Sequence, residues 1–249
     1  MALAACIWAL IQEEEKVLDQ IAVAGFSHID IRPFALGSRD LQKRAGDLGL
    51  TVSCMAASAN MGEGVSLTGP GSVLGWDHVC RAFAHGAAVG ANTAYLVPEG
   101  DDPDRFSEPL FELAEKATEY GIKLCVEHFP GTILPTVPFT LDFLAKIGHP
   151  NLYLVFDIGH AQMARENVAE MVALAGERLG YVHLDDNDGV NDLHLGLCDG
   201  VMTASVLESL YAALEQHGYS GLTSLELKSN IPNPLDALIR SRKIVRSWT

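Results

Sequence analysis

Short apolar runs alternate with longer amphipathic segments along the whole chain. Runs rich in β-branched and aromatic residues predict buried strands, whereas an apolar position at every third or fourth residue predicts a helix with one buried face. The predicted strands cover residues 3–10, 27–31, 51–57, 94–98, 122–127, 152–157, 180–184 and 221–227. The predicted helices cover residues 13–24, 39–48, 73–90, 104–120, 140–147, 161–175, 203–217 and 233–248.

This alternation predicts one parallel α/β domain. Each helix returns the chain to the start of the next strand, so consecutive strands run parallel. Eight such units in 249 residues are typical of a closed (β/α)₈ TIM barrel. No linker or low-complexity segment divides the chain, and we therefore predict a single TIM-barrel domain over residues 1–249. An open doubly wound sheet is the alternative, but no glycine-rich dinucleotide fingerprint follows the first predicted strand.

The charge balance narrows the range of partners. The chain has 32 acidic and 17 basic residues, and its net charge of −15 repels polyanions, so we expect neither a nucleic-acid nor a membrane partner. Five scattered cysteines without a CxxC pair are typical of reduced thiols in a cytoplasmic protein. The apolar segment 2–11 lacks a basic leader and is too short to cross a bilayer, so we interpret it as the first strand.

Four polar side chains interrupt apolar strands near their carboxyl ends. They are Glu127, Asp157, His183 and Glu226. The carboxyl ends of barrel strands meet at one mouth, so we expect these side chains to converge there. Three carboxylates held together repel one another unless a divalent cation compensates them, and with one imidazole they form a ligand set for such an ion. Each residue alone is more typical of a helix cap or a hydrogen-bonded core residue, but their shared position favours a metal site.

A second polar group follows the first along the chain. His160 comes one turn after Asp157, and Asp192 and His194 lie in the acidic segment 185–196. Alternate side chains of an extended segment point the same way, so this group could hold a second metal ion or bind substrate hydroxyl groups. A set of surface Asx turns is the competing interpretation of the acidic segment.

Four motifs in the second half of the chain carry a family resemblance. They are VEH at 126–128, FDIGH at 156–160, VHLDDNDG at 182–189 with DLH at 192–194, and LELK at 225–228. With these motifs the chain resembles the xylose isomerase-like TIM-barrel superfamily, and within it the sugar phosphate isomerase/epimerase group. In the first half the resemblance is architectural only.

The resemblance implies a cofactor and residue roles. Glu127, Asp157, His183 and Glu226 would bind one divalent ion (Mn²⁺, Mg²⁺, Co²⁺ or Zn²⁺), with no organic cofactor. Glu127 and Glu226 would also act as catalytic acid and base, and His160 would contact the substrate. The weaker candidates for substrate contacts are Asp185, Lys228 and Trp8.

The expected reaction is proton transfer next to the carbonyl of a sugar, sugar phosphate or inosose through an enediolate, giving isomerisation or epimerisation. The alternatives are a metal-dependent dehydratase of the same group, an endonuclease IV-like zinc phosphodiesterase and a non-catalytic subunit. Predicted strands three and four contain no histidine, which such nucleases need for one of their zinc ions. The partner would be a small sugar or cyclitol, and the sequence leaves open whether the chain forms a homo-oligomer.

Overall fold

Eight parallel strands pair in chain order and close into a barrel in the computed structural model, which describes residues 1–249. The last strand pairs with the first, with Ala4 opposite Ser224. The predicted TIM barrel is therefore confirmed, and the doubly wound alternative, which would leave two open sheet edges, is wrong. The strands are β1 Leu3–Cys6, β2 His28–Ile31, β3 Thr51–Ala56, β4 Thr93–Leu96, β5 Lys123–Glu127, β6 Leu152–Asp157, β7 Leu179–Leu184 and β8 Thr223–Leu225.

Ten helices surround the barrel, compared with eight predicted. They are α1 Glu14–Val23, α2 Arg39–Asp47, α3 Ser72–Ala88, α4 Pro103–Ser107, α5 Leu110–Glu119, α6 Val137–Ile147, α7 Ile158–Met163, α8 Val168–Ala175, α9 Ala204–Gln216 and α10 Pro234–Val245. The additional two arise because the predicted helices 104–120 and 161–175 are each divided.

Both divisions have a local cause. Pro109 precedes α5 and has no amide hydrogen to donate to the carbonyl of Arg105, so the helical hydrogen bonds of α4 cannot continue into α5. Arg165 adopts a left-handed conformation, with φ of 58°, which ends the first turn of helix after β6. The Asn167 side chain then accepts a hydrogen bond from the Glu170 amide and caps α8.

The first and last strands are shorter than predicted. β1 ends at Cys6, and Ile7–Ala9 form a 3₁₀ turn that carries Trp8. β8 ends at Leu225, so Glu226 is the first residue beyond the strand. Both differences leave Trp8 and Glu226 at the carboxyl end of the barrel, where the sequence predicts the site.

Two apolar clusters stabilise the fold. The larger one fills the space between the strands and the helices. The smaller one fills the inside of the barrel and consists of Cys54, Ala56, Tyr95, Cys125, Val155 and Tyr181. The five cysteines are all free thiols. No helix has both the length and the apolar content that crossing a membrane requires.

A buried carboxyl group lies inside the barrel on β2. Asp30 is fully buried and its Oδ1 accepts a hydrogen bond of 2.7 Å from the Tyr181 hydroxyl. Cys6 Sγ lies 3.8 Å from its other oxygen. Burial raises the pKa of Asp30 to about 6, because the low-dielectric surroundings disfavour the charged form.

We predict that Asp30→Asn changes how stability depends on pH. Since the pKa of Asp30 is raised in the folded state, the folded protein loses stability as pH rises from the unfolded pKa near 4 through about 6. Asparagine cannot ionise but keeps an acceptor for Tyr181. The variant should therefore gain, relative to the wild type, on the order of 2 kcal/mol of unfolding free energy between about pH 4 and about pH 7. Urea unfolding of both proteins at the two pH values measures this, and an equal pH dependence would contradict it.

Candidate active site

Four side chains from consecutive strands converge at the mouth of the barrel, as the sequence predicts. Strand pairing places Glu127 opposite Val155 and Asp157 opposite His183, and Glu226 follows β8. One possible ligand atom from each of these residues lies within 4.8 Å of the others. All four side chains are buried: Glu127, Asp157, His183 and Glu226.

The imidazole of His183 is surrounded by carboxylates. Its Nδ1 lies 2.8 Å from Glu226 Oε2, 3.2 Å from Glu127 Oε1 and 3.9 Å from Asp157 Oδ2. Asp157 Oδ2 is buried and has no hydrogen-bond partner. Buried polar atoms are normally paired, so an unpaired carboxylate oxygen among two other carboxylates fits a bound cation. The residues present thus match the chemistry of a divalent metal site.

The pKa shifts of the four converging side chains also indicate a site for positive charge. Burial opposes a charge on His183, but Glu226 and Glu127 outweigh it and hold the pKa of this imidazole well above its usual range. Burial also opposes ionisation of Glu226, yet His183 lowers the pKa of that carboxyl to about 2. Burial raises the pKa of Glu127. The cluster therefore requires positive charge, which a proton on His183 or a cation can supply.

Asp157 has a separate role for each of its oxygens. Its Oδ1 accepts a 2.7 Å hydrogen bond from the His160 amide and so caps α7, which leaves Oδ2 free. Its own amide donates to His128 Nε2 at 3.2 Å. Burial lowers the pKa of His128 to about 3, so this imidazole is neutral and can accept the bond. His128 thus fixes the backbone at Asp157, a role that its place in the VEH motif does not reveal.

Tyr95 on β4 is a second residue that the sequence does not identify. Its hydroxyl donates a 2.9 Å hydrogen bond to Glu226 Oε1. Its ring meets the His183 ring edge to face, with centroids 4.9 Å apart. Tyr95 therefore orients two of the four converging side chains. Its only signal in the sequence is an inward position on a strand, which any core tyrosine shares.

His160, Asp192 and His194 form a second cluster beside the first. Asp192 Oδ1 lies 2.8 Å from His194 Nε2 and 3.4 Å from His160 Nε2. The other nitrogen of each imidazole is fixed by a backbone carbonyl, that of His128 for His160 and that of Glu226 for His194. The ring of His160 also stacks on Phe129, with centroids 4.4 Å apart.

The acidic segment after β7 divides between two roles. Asp186 accepts hydrogen bonds from the amides of Asn187, Gly200 and Met202, so it fixes the loop. Asp188 is exposed and forms the surface Asx turn that was the competing interpretation. Asp192 and His194, by contrast, contact the site. The Asx-turn interpretation therefore holds for Asp188, whereas the metal or substrate role of Asp192 and His194 stays a prediction.

Close approach of two loops explains the glycine of the FDIGH motif. A Cβ atom on Gly159 would lie 1.9 Å from Asp185 Oδ1, so a larger residue would have to displace the buried Asp185 side chain. The Gly159 carbonyl also accepts a 2.8 Å hydrogen bond from Asn187 Nδ2. These contacts join the turn that carries His160 to the loop that carries His194.

The three weaker candidates also lie at this end of the barrel. Asp185 is buried with Oδ2 3.0 Å from His194 Nδ1, and burial raises its pKa to about 7. Lys228 Nζ contacts Asp192 Oδ2 at 2.8 Å. Trp8 is half-buried against the apolar cluster inside the barrel. Their roles in substrate binding stay predictions.

The nuclease alternative lacks support at β3 and β4. The inward residues of these strands include Cys54, Ala56 and Tyr95, and neither strand carries a histidine. The zinc ion that such nucleases hold with histidines of these two strands would therefore have no imidazole ligand from them.

Comparison with known proteins identifies the family to which the chain is related. The family model of the xylose isomerase-like TIM barrel matches residues 11–248. An inosose dehydratase of Histophilus somni is 31% identical over 159 residues, which cover 56% of this chain and 53% of that protein. A fructoselysine 3-epimerase of Shigella flexneri is 29% identical over 140 residues, which cover 55% and 50%. The chain thus matches about half the length of these two relatives.

The architecture recurs in a solved structure. A D-tagatose 3-epimerase-like protein aligns with a TM-score of 0.82 over 100% of this chain and 97% of that one, at 22% identity. At this identity the likeness shows a shared fold. Since the family model covers almost the whole barrel, the chain belongs to the xylose isomerase-like TIM-barrel family.

Proposed function

We propose that the protein is a divalent-metal-dependent isomerase or epimerase that moves a proton next to the carbonyl of a sugar, sugar phosphate or inosose. The observation that carries this proposal is the convergence of three buried carboxylates on His183, with one carboxylate oxygen unpaired. The relatives named as an epimerase and as an inosose dehydratase support the substrate class.

The metal would be held by Glu127, Asp157, His183 and Glu226. A divalent ion held there would supply Lewis-acid stabilisation of the negative charge that develops on the carbonyl oxygen. The chain's own residues supply the proton chemistry. Glu127 and Glu226 come from β5 and from the end of β8, so they approach the mouth from different sides. We assign one as the base that removes the proton and the other as the acid that returns it.

The position at which the proton returns decides the product. Return to the opposite face of the same carbon gives an epimer, and return to the neighbouring carbon gives an isomer. Tyr95 restrains Glu226 through Oε1, so this carboxylate meets the substrate in one orientation. A fixed carboxylate favours one proton position over others.

The second cluster would bind substrate hydroxyl groups. Lys228 Nζ already lies 2.8 Å from Asp192 Oδ2 and neutralises the cluster's only carboxylate. A second divalent ion would be repelled by this ammonium group. His160 and His194 are buried, and the Nε2 atoms of both face Asp192 Oδ1. A hydroxyl group entering here would find an acceptor in the carboxylate oxygen and a donor in an imidazole N–H.

A dehydratase is the second candidate, because the Histophilus somni relative carries that name. The same base would remove the proton, and a hydroxyl group on the next carbon would then leave as water. The two reactions differ in their product, since dehydration alone gives an unsaturated ketone. A non-catalytic subunit would exchange no proton of any sugar.

We predict that Glu226→Gln lowers turnover by about 100-fold or more, because the variant keeps the shape but loses the ionisable group. Metal-loaded protein is screened for incorporation of solvent deuterium into ketoses and inososes by NMR. Glu208→Gln, an exposed position on α9, is the matched control and should keep full exchange. Undiminished exchange in the Glu226 variant would contradict the assignment.

We predict one high-affinity divalent ion per chain. Isothermal titration with Mn²⁺ should give this stoichiometry for the wild type and for His194→Ala, since the second cluster is assigned to substrate. Asp157→Asn keeps an oxygen that can cap α7 but removes a ligand charge, and it should weaken binding by about 100-fold or more. Two ions in the wild type, with one lost in His194→Ala, would show that the second cluster is a metal site.

A further inference from the structure

Arg32 lies at the same mouth of the barrel as the proposed metal ligands, on the opposite side of the ring of strands. It directly follows Ile31, the last residue of β2. Alternate residues of a strand point to the same side, and Asp30 points into the barrel, where it meets Tyr181. Arg32 follows the inward series of β2 just beyond the end of the strand, and it is exposed at the rim of the mouth. In a ring of eight strands, β2 lies four strands from β6, which carries Asp157.

Trp8, in the 3₁₀ turn that follows the neighbouring strand β1, supports the arginine. The guanidinium carbon of Arg32 lies 5.3 Å from the centroid of the Trp8 ring. Trp8 itself packs against the apolar cluster inside the barrel, so the aromatic platform is fixed. A guanidinium group stacked on an aromatic face keeps the N–H donors of its edge free.

The charge of Arg32 has no acidic partner within the protein. Lys228 is the only other lysine or arginine in a loop that directly follows a strand, and it pairs with Asp192. Elsewhere Arg44, Arg81, Arg105 and Arg240 pair with aspartates. Arg246 has no ion pair either, but it lies just after α10, outside the loops that follow the strands. An unpaired cation at the mouth of a protein with net charge −15 is therefore available to a ligand.

The turn after Arg32 is held in a costly conformation. Phe34 and Leu36 have φ angles of 67° and 57°, a region that costs a residue with a side chain about 1–2 kcal/mol. The Leu36 amide donates a 2.6 Å hydrogen bond to Glu14, and the Ala35 carbonyl lies 2.6 Å from His85 Nε2. These bonds maintain the strained turn and with it the position of Arg32.

We propose that Arg32, supported by Trp8, binds an anionic group on the substrate, either a phosphate ester or a carboxylate, and so determines specificity. This inference rests on the proposed function for the reacting end of the same molecule. The reacting carbonyl would lie at the four converging ligands, and the anionic end would receive two parallel hydrogen bonds from the guanidinium group. A neutral sugar would leave this cation without a partner.

The first test measures binding and needs no turnover. Inorganic phosphate and, separately, acetate are titrated calorimetrically into metal-loaded wild type, Arg32→Met, Arg32→Lys and Arg246→Met. Arg246 is an exposed arginine without an ion pair just after α10, and it serves as the matched control. Arg32→Met should weaken binding of at least one anion by about tenfold or more, with lysine intermediate and the control unchanged. The anion that responds identifies the group.

The second test measures specificity. Deuterium exchange is compared for a ketose, its terminal phosphate ester and the corresponding keto acid. In Arg32→Met the ratio of kcat/KM for the anionic substrate to that for the neutral one should fall by about tenfold or more, chiefly through KM. Trp8→Ala should shift the ratio in the same direction.

The outcomes separate the two proposals. Unchanged anion binding together with an unchanged specificity ratio in Arg32→Met would overturn the role of Arg32, while exchange in the wild type would still support the isomerase. If no substrate exchanges with the wild type, the proposed function fails, and the phosphate and acetate titrations alone then decide the role of Arg32.

Discussion

The site depends on one constraint, which is the negative charge of three carboxylates that are buried close together. Three carboxylates surround one imidazole nitrogen at the end of four consecutive strands. Such a group is unstable unless positive charge compensates it, because buried ions lose their hydration. The apolar cluster around the barrel supplies the stability that allows this arrangement at the mouth. The fold thus depends on apolar side chains, whereas the site depends on charged ones, and the two kinds of side chain adjoin at the strand ends.

The loops around this charge are arranged to hold it in place. Asp157 caps a short helix with one oxygen and keeps the other free, and Tyr95 does the equivalent for Glu226 by occupying one of its oxygens. In both cases a second contact fixes the carboxylate without consuming its capacity to bind a cation. Supporting contacts of this kind are what keep a set of ligands in one geometry.

The sequence predicts the barrel because strand and helix patterns alternate along the chain. It predicts the converging residues because each is a polar side chain at the end of an apolar strand, which is also a local pattern. The family resemblance adds their roles. His128 and Tyr95 escape prediction because their importance lies in contacts with residues distant along the chain. The interruption at Arg165 has no signal in the sequence, because it depends on a backbone angle that no residue type there demands. The interruption before α5 does have one, since Pro109 cannot continue a helix.

The loop after β7 has a further consequence. Asp186 binds three amides of that loop, and Asn187 ties it to Gly159, so its shape is determined by the protein alone. A ligand that meets this side of the mouth does not need to order it and loses little conformational entropy on binding. A ligand bound here would therefore meet a preformed surface.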